Sequence, residues 1–199
     1  DELPEFSRAA IESLRQSLEE KELVLKRGKN IVTYPCQFQP IAAMNPCPCG
    51  FYGDLNKHCT CHPSQVARYQ QKISGPILDR IDIHIDVPRI SYEEISGSDN
   101  ISSEELRAKV EEARERQRAR LKKNGLFTNQ EMNAAHVKGE KLDEKTSALL
   151  KTAVDKYHLS GRAIHRLIKV SRTIADLAKK DHIQSEHMIE ALQYRVRSH

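Results

Sequence analysis

The chain has 199 residues, with 38% apolar, 5% aromatic and 30% charged side chains, no Trp and a formal net charge of +4. That length allows one large domain or two small ones, and the mix favours surface-rich helices around modest aliphatic cores over a large β-sandwich. The charge surplus is too small to mark a nucleic-acid binder by itself, and no apolar run approaches the roughly 18 residues of a membrane span.

In chain order, residues 6–20 place Phe6, Ala10, Ile11, Leu14 and Leu18 at helical spacing, with Ser7 as a candidate cap. Leu23–Leu25 and Ile31–Tyr34 are β-like and flank Lys26-Arg27-Gly28-Lys29-Asn30, which predicts a hairpin with a basic tip. Phe38 to Met44 is a short apolar run, expected as a buried strand ending at Asn45-Pro46. Residues 46–63 read as an irregular loop and Gln65–Ser74 as a short helix. Ile81, Ile83, Ile85 and Val87 alternate with Asp82, His84 and Asp86, the period of a half-buried strand with a polar face. Residues 91–102 resemble a linker in composition. Beyond them Ser102 and Glu105 form a capping box, and helices are expected to about Asn124-Gly125, over 143–157, from just after Ser160 to about Lys180, and after Ser185.

The chemistry-bearing residues are few. Asp1-Glu2 is a pair in which one carboxylate can serve Mg²⁺ while its neighbour polarises water, although such dipeptides are usually solvated. Asn45 closes an apolar run, where side chains of open α/β sheets meet ligands; a turn-forming Asn before Pro is the plainer reading. Arg80 offers a planar, permanent charge suited to phosphate, or a surface pair with Asp79 or Asp82. Cys47, Cys49, Cys59 and Cys61 crowd into fifteen residues. Two C-x-C pairs joined by a Gly-containing loop can close a tetrahedral Zn²⁺ site, with His58 and His62 as substitutes; reduced buried thiols and redox chemistry are the alternatives. Cys36 stands apart as a small hydrophobe. With no export signal in these residues, this cysteine usage fits a reducing, cytoplasmic compartment. The abrupt Asp-Glu opening without Met leads us to expect a piece of a longer protein.

Order and wording of these features resemble the second half of an AAA+ ATPase. Asp-Glu-Leu-Pro-Glu-Phe (residues 1–6), Ala-Ala-Met-Asn-Pro-Cys-Pro-Cys-Gly (42–50), Lys-Ile-Ser-Gly-Pro-Ile-Leu-Asp-Arg-Ile-Asp (72–82) and Ser-Arg-Thr-Ile-Ala-Asp-Leu (171–177) are similar to the magnesium-chelatase-related ComM/YifB family over essentially the whole chain. The resemblance implies an α/β plus α fold, mostly helical: a partial AAA+ core over 1–92, a linker over 93–103 and a helical lid over 104–199. It implies Asp1 and Glu2 at the end of Walker B, Asn45 as sensor 1, Arg80 as arginine finger and Arg162 as sensor 2, with Arg166 and Arg172 as rivals. It places the hairpin tip, Lys26, Arg27 and Lys29, toward the pore of a hexameric ring, where three cations would track a DNA backbone; an ordinary solvated turn is the alternative.

The family further implies ATP and Mg²⁺ as cofactors of a longer protein, DNA as partner and no membrane. No Gly-x-x-x-x-Gly-Lys-Ser/Thr string occurs in these residues, so this chain alone is expected not to turn over ATP. Two other readings stand beside a DNA-directed ring motor. One is a magnesium-chelatase subunit. The other is a zinc-stabilised DNA-binding module whose C-terminal helices present Arg162, His165, Arg166, Lys169 and Arg172.

Overall fold

The computed structural model describes residues 1–90 and 101–195. It comprises two compact units, Asp1–Ile81 with Asp86–Arg89, and Asp82–Ile85 with Ile90–His199. Most of the expected linker at 93–103 lies outside the described residues. The architecture is the expected α/β plus α, mostly helical, with one two-stranded sheet.

In the first unit a 3-10 turn, Leu3–Glu5, precedes α1 (Arg8–Glu20). Ser7 caps α1 by accepting from the Ala10 N–H at 3.2 Å. Ile11 packs against Ile73 and Ile77, flanked by Leu3 and Leu78, in a small apolar core. Strands β1 (Glu22–Arg27) and β2 (Asn30–Pro35) pair antiparallel, with Leu23 opposite Tyr34 and Leu25 opposite Val32. Gly28 opens the two-residue turn at φ 61°, the positive φ that a type II′ hairpin demands at its first position. Every residue of both strands is exposed. Helix α2 (Pro63–Gln70) starts with Pro at a position where its missing N–H costs nothing, and α3 (Gly75–Leu78) is a single turn.

Two expected strands do not form. Residues 37–45 carry no ladder, and Phe38, Ile41 and Met44 are 47%, 89% and 41% exposed. Residues 81–87 are likewise irregular. A strand pattern becomes a strand only beside a partner that accepts its hydrogen bonds, and β1 and β2 take each other. Residues 82–85 instead join the helical unit, where the His84 N–H donates to the Tyr194 carbonyl at 2.7 Å and Asp82 lies 3.5 Å from Arg166.

The second unit is built from α4 (Ser103–Leu121), α5 (Ala134–Lys138), α6 (Glu144–Tyr157), α7 (Gly161–Leu177) and α8 (Ser185–Gln193). Ser102 and Glu105 form the expected capping box on α4, and Ser160 caps α7. Leu121, Met132, Val137, Leu167, Ile168, Ile183, Met188 and Ala191 form its core. Only the C-terminal half of the α4 stripe is buried: Ala113, Gln117 and Leu121 are inside, whereas Leu106 and Val110 are about half exposed.

A buried carboxylate ties this unit together. Asp176 accepts two N–H bonds from Arg120 (2.7 and 3.0 Å), one from Arg172 (3.0 Å) and one from Asn129 (2.9 Å). Arg172 is fully buried and also donates to the Asp181 and Lys180 carbonyls. It is a structural cation, which removes it as a rival sensor and from any basic reading face. Removing one member of a buried charge set strands the others, at about 3–5 kcal/mol. Asp176→Ala is therefore expected to destabilise the helical unit by that amount in urea unfolding, and Ser102→Ala by about 1 kcal/mol.

Candidate functional site

The Leu3 N–H donates to the Ala43 carbonyl at 3.0 Å. That bond draws the N-terminal segment beside the run that ends at Asn45. Glu2 and Asn45 consequently line one cavity of about 450 Å³, with Glu5, Pro48, Gln65, Arg68, Tyr69 and Lys72. Asp1 is exposed, and its carboxylate accepts the Glu2 N–H at 2.9 Å. Burial, then the negative charges of Glu5 and Glu2, push the Tyr69 phenol above its ordinary range, against the Asn45 N–H that donates to it. The lining is mixed in charge. Its carboxylates can ligate a hard cation or polarise water, its amides can orient that water, and Arg68 and Lys72 attract anionic oxygen.

Residues 46–62 are the expected irregular loop. The sulfur of Cys47 lies 3.4 Å from that of Cys49 and 3.7 Å from that of Cys59, and Cys49 and Cys59 are 3.5 Å apart. All four sulfurs, Cys61 included, fall within 4.8 Å of one another. Disulfide sulfurs would sit about 2.0 Å apart, whereas four thiolates at about 2.3 Å from a tetrahedral Zn²⁺ lie about 3.8 Å apart. The spacing fits a metal set and not a bridge. N–H donation from Phe51 and then Thr60, with help from the Cys47 and Cys61 sulfurs, holds the Cys49 thiol down at about 5, despite burial. Cys59, although the Cys61 N–H donates to it, is pushed up to about 12 by burial and by the Cys49 and Cys47 sulfurs. Burial, then the same two sulfurs, raise Cys61. One thiolate is thus easily formed and further ones resist, the electrostatic situation that a divalent cation relieves. His62 does not join the set: its ring accepts the Ser64 N–H while Gln65 reaches back to the His62 N–H, capping α2.

The loop between the cysteine pairs is itself pinned. The Asp54 carboxylate accepts from the Asn56 and Lys57 N–H groups (2.8 and 2.9 Å) and pairs with Arg89 at 2.7 Å. The Phe51 ring carries the Lys57 ammonium at 4.0 Å and the Arg89 guanidinium at 4.6 Å.

The remaining predicted residues lie elsewhere. The Arg80 guanidinium is largely buried, paired with Glu19 of α1 and donating to the Pro76 carbonyl at 2.7 Å. Lys26, Arg27 and Lys29 are exposed at the hairpin tip. Arg162 is exposed on the first turn of α7, in the other unit. Sequence reasoning missed Gln65, Arg68, Tyr69 and Lys72. Their i, i+3, i+4, i+7 spacing was the available signal, a polar-aromatic face along α2 and the turn after it.

Asp54 supplies a pH test. Amide donation from Asn56 and Lys57, then Arg89, lowers its folded-state pKa. Its stabilising contribution is therefore complete above about pH 4, the ordinary carboxylate value, and is lost as pH falls below that through the depressed folded value. Thermal melts should show the wild type losing more stability between pH 5 and pH 3 (roughly the window around that carboxylate value) than Asp54→Asn loses.

Comparison with known proteins places this chain in a family. Residues 1–95 match the family model described as magnesium chelatase, subunit ChlI, and residues 100–195 match its C-terminal counterpart. Competence protein ComM of Haemophilus influenzae is 40% identical over 199 residues, covering 98% of this chain and 38% of that protein. Protein YifB of Escherichia coli is 38% identical over 202 residues, with 98% and 38% covered. Protein Rv2897c of Mycobacterium tuberculosis is 34% identical over 197 residues, with 98% and 39% covered. The chain thus spans less than two fifths of these relatives' length. With both of its halves matched, the chain belongs to the magnesium-chelatase-related ComM/YifB family.

Proposed function

We propose that this chain supplies the Walker B end, sensor 1, arginine finger and lid of an ATP-driven AAA+ ring motor that acts on DNA in the cytoplasm. The observation that carries the reading is the single cavity shared by Glu2 and Asn45. When bound, ATP with Mg²⁺ supplies the phosphoryl group. Asp1 is the carboxylate available to the metal, Glu2 polarises the attacking water, and the Asn45 amide holds that water in line. Arg80 adds permanent positive charge at a neighbouring subunit's site. To do so it must exchange Glu19 for phosphoryl oxygen, so ring assembly has to compete with that internal pair. Arg162 contacts nucleotide from the first turn of the lid helix α7. Lys26, Arg27 and Lys29 track a DNA backbone from an exposed hairpin whose tip nothing covers among the described residues. The name ComM, a competence protein, accords with DNA processing.

Metal insertion of the magnesium-chelatase type is the second reading, favoured by the description of both family models. A fold hosts several activities, however, so substrate has to be read from the site. The hairpin cations favour a polyanion. The cysteine set holds one structural Zn²⁺: four converging thiols at metal spacing give the fit.

The reading is tested by ATP turnover of a longer protein carrying this segment, with and without single-stranded and branched DNA. DNA is expected to stimulate turnover, and Arg80→Ala to lower it at least ~10³-fold. Lys26→Glu, Arg27→Glu and Lys29→Glu together should abolish the stimulation while sparing basal turnover. Turnover indifferent to DNA would favour the chelatase-type reading. This chain by itself should show none. Freshly purified reduced chain should carry about one zinc per molecule, the content of a single Cys₄ site; a zinc content near zero would remove the metal from the proposal.

A further inference from the structure

The cysteine cluster is linked along the chain to two walls of the cavity. One wall, Asn45 and Pro48, belongs to the segment bearing the first pair, with Pro48 between Cys47 and Cys49. The other wall, Gln65, Arg68, Tyr69 and Lys72, belongs to α2 and the turn after it, and α2 starts two residues beyond Cys61. The connection between the pairs, residues 50–58, is an irregular loop. The two walls meet through the Gln70 side chain, which donates to the Pro46 carbonyl at 3.2 Å, and through the Asn45 N–H on Tyr69. Asn45 is only two residues from Cys47, and both intervening and following prolines, Pro46 and Pro48, hold φ near −65°. A segment so restricted has little freedom to absorb a displacement of the sulfur before it reaches the Asn45 amide.

We propose that the four-cysteine site is a metal-dependent positioning device for Asn45. One Zn²⁺ on Cys47, Cys49, Cys59 and Cys61 sets the separation of the cavity walls, and loss of the metal releases the Asn45–Cys49 wall from α2. This inference rests on the zinc reading given above and deepens it. The sulfurs of Cys47, Cys49 and Cys59 lie 3.4–3.7 Å apart and that of Cys61 within 4.8 Å of them, and a dication bound among the four fixes their distances. The N–H donors of Phe51 and Thr60 orient the Cys49 sulfur as outer-shell partners of a metal thiolate do. Metal loading would thereby govern whether Asn45 faces the same space as Glu2. The metal would act on the site from outside it, without touching the ligand in the cavity.

The test uses this chain and needs no turnover. Cobalt substitution should give the thiolate charge-transfer and visible bands of a tetrahedral sulfur site. Chelation of the zinc should then shift the NMR signals of the Asn45 side-chain amide and the Tyr69 ring, while the Val24 and Val32 amides of the hairpin stay in place. Cys61→Ala should lose both the metal and the bound-state Asn45 signal. Cys61→His should restore both. The proposal is overturned if the metal leaves and the Asn45 and Tyr69 signals do not move, or if Cys61→His restores the metal without them. It is equally overturned if chelation collapses the hairpin signals too, since the metal would then hold the whole unit rather than position one wall. A chain that binds no metal overturns this inference and the zinc reading together. None of these outcomes bears on the ATPase reading, which is decided by the Arg80 and DNA experiments.

Discussion

An extended backbone has to hand its hydrogen bonds to a neighbour, and the first unit is shaped by how few neighbours it has. Strands β1 and β2 satisfy each other across a tight turn. The apolar run before Asn45 finds no such ladder and lies open, and residues 82–85 of the alternating run belong to the helical unit instead. The Leu3–Ala43 bond is a fragment of that kind of pairing, and it suffices to bring Glu2 beside Asn45. With so little sheet and a core of a few aliphatic side chains, other forces fix the site. Helix caps orient α1 and α2, the sulfur cluster gathers the loop, and a pinned carboxylate shapes its outer turn.

This explains which features could be read from sequence. The caps at Ser7 and Ser102 are local, needing only a side chain and an amide three residues away, and each lies where the sequence places it. The cysteine set was legible because two close pairs leave little freedom for four sulfurs. The strands at 38–44 and 81–87 were misread because alternation reports a preference for a two-sided environment, not the presence of a partner. His62 was misread as a spare ligand. Its role is fixed by Pro63, which makes position 62 the cap, and by Gln65 three residues on, the reciprocal partner. The polar face of α2 was overlooked for a similar reason: a helix of eight residues is too short to draw attention by periodicity.

The helical unit follows different rules. Its aliphatic stripes were plain in sequence, whereas the charge network around Asp176 was not. Arg172 and Asp176 look like an ordinary i, i+4 surface pair until Arg120 and Asn129 arrive from distant parts of the chain. Their burial explains why α7 offers a less continuous basic surface than its composition indicates. A helix-turn-helix reader would need those cations outward. Here one of the five is fully inside and another, Arg166, pairs with Asp82. The geometry therefore assigns α7 first to holding the bundle together.

The Phe51 sandwich bears on how the cysteine loop meets proteases. A seventeen-residue connection without regular structure, spanning residues 46–62, is the kind of segment that is nicked first in most proteins. Trypsin-like enzymes, though, must draw a basic side chain into a deep pocket and extend the backbone around it. Lys57 and Arg89 both lie over the same aromatic ring, and Asp54 ties Arg89 to the amides beside Lys57. Drawing either side chain into such a pocket therefore means giving up the contacts that give the loop its shape, and cleavage after Lys57 or Arg89 carries that added cost.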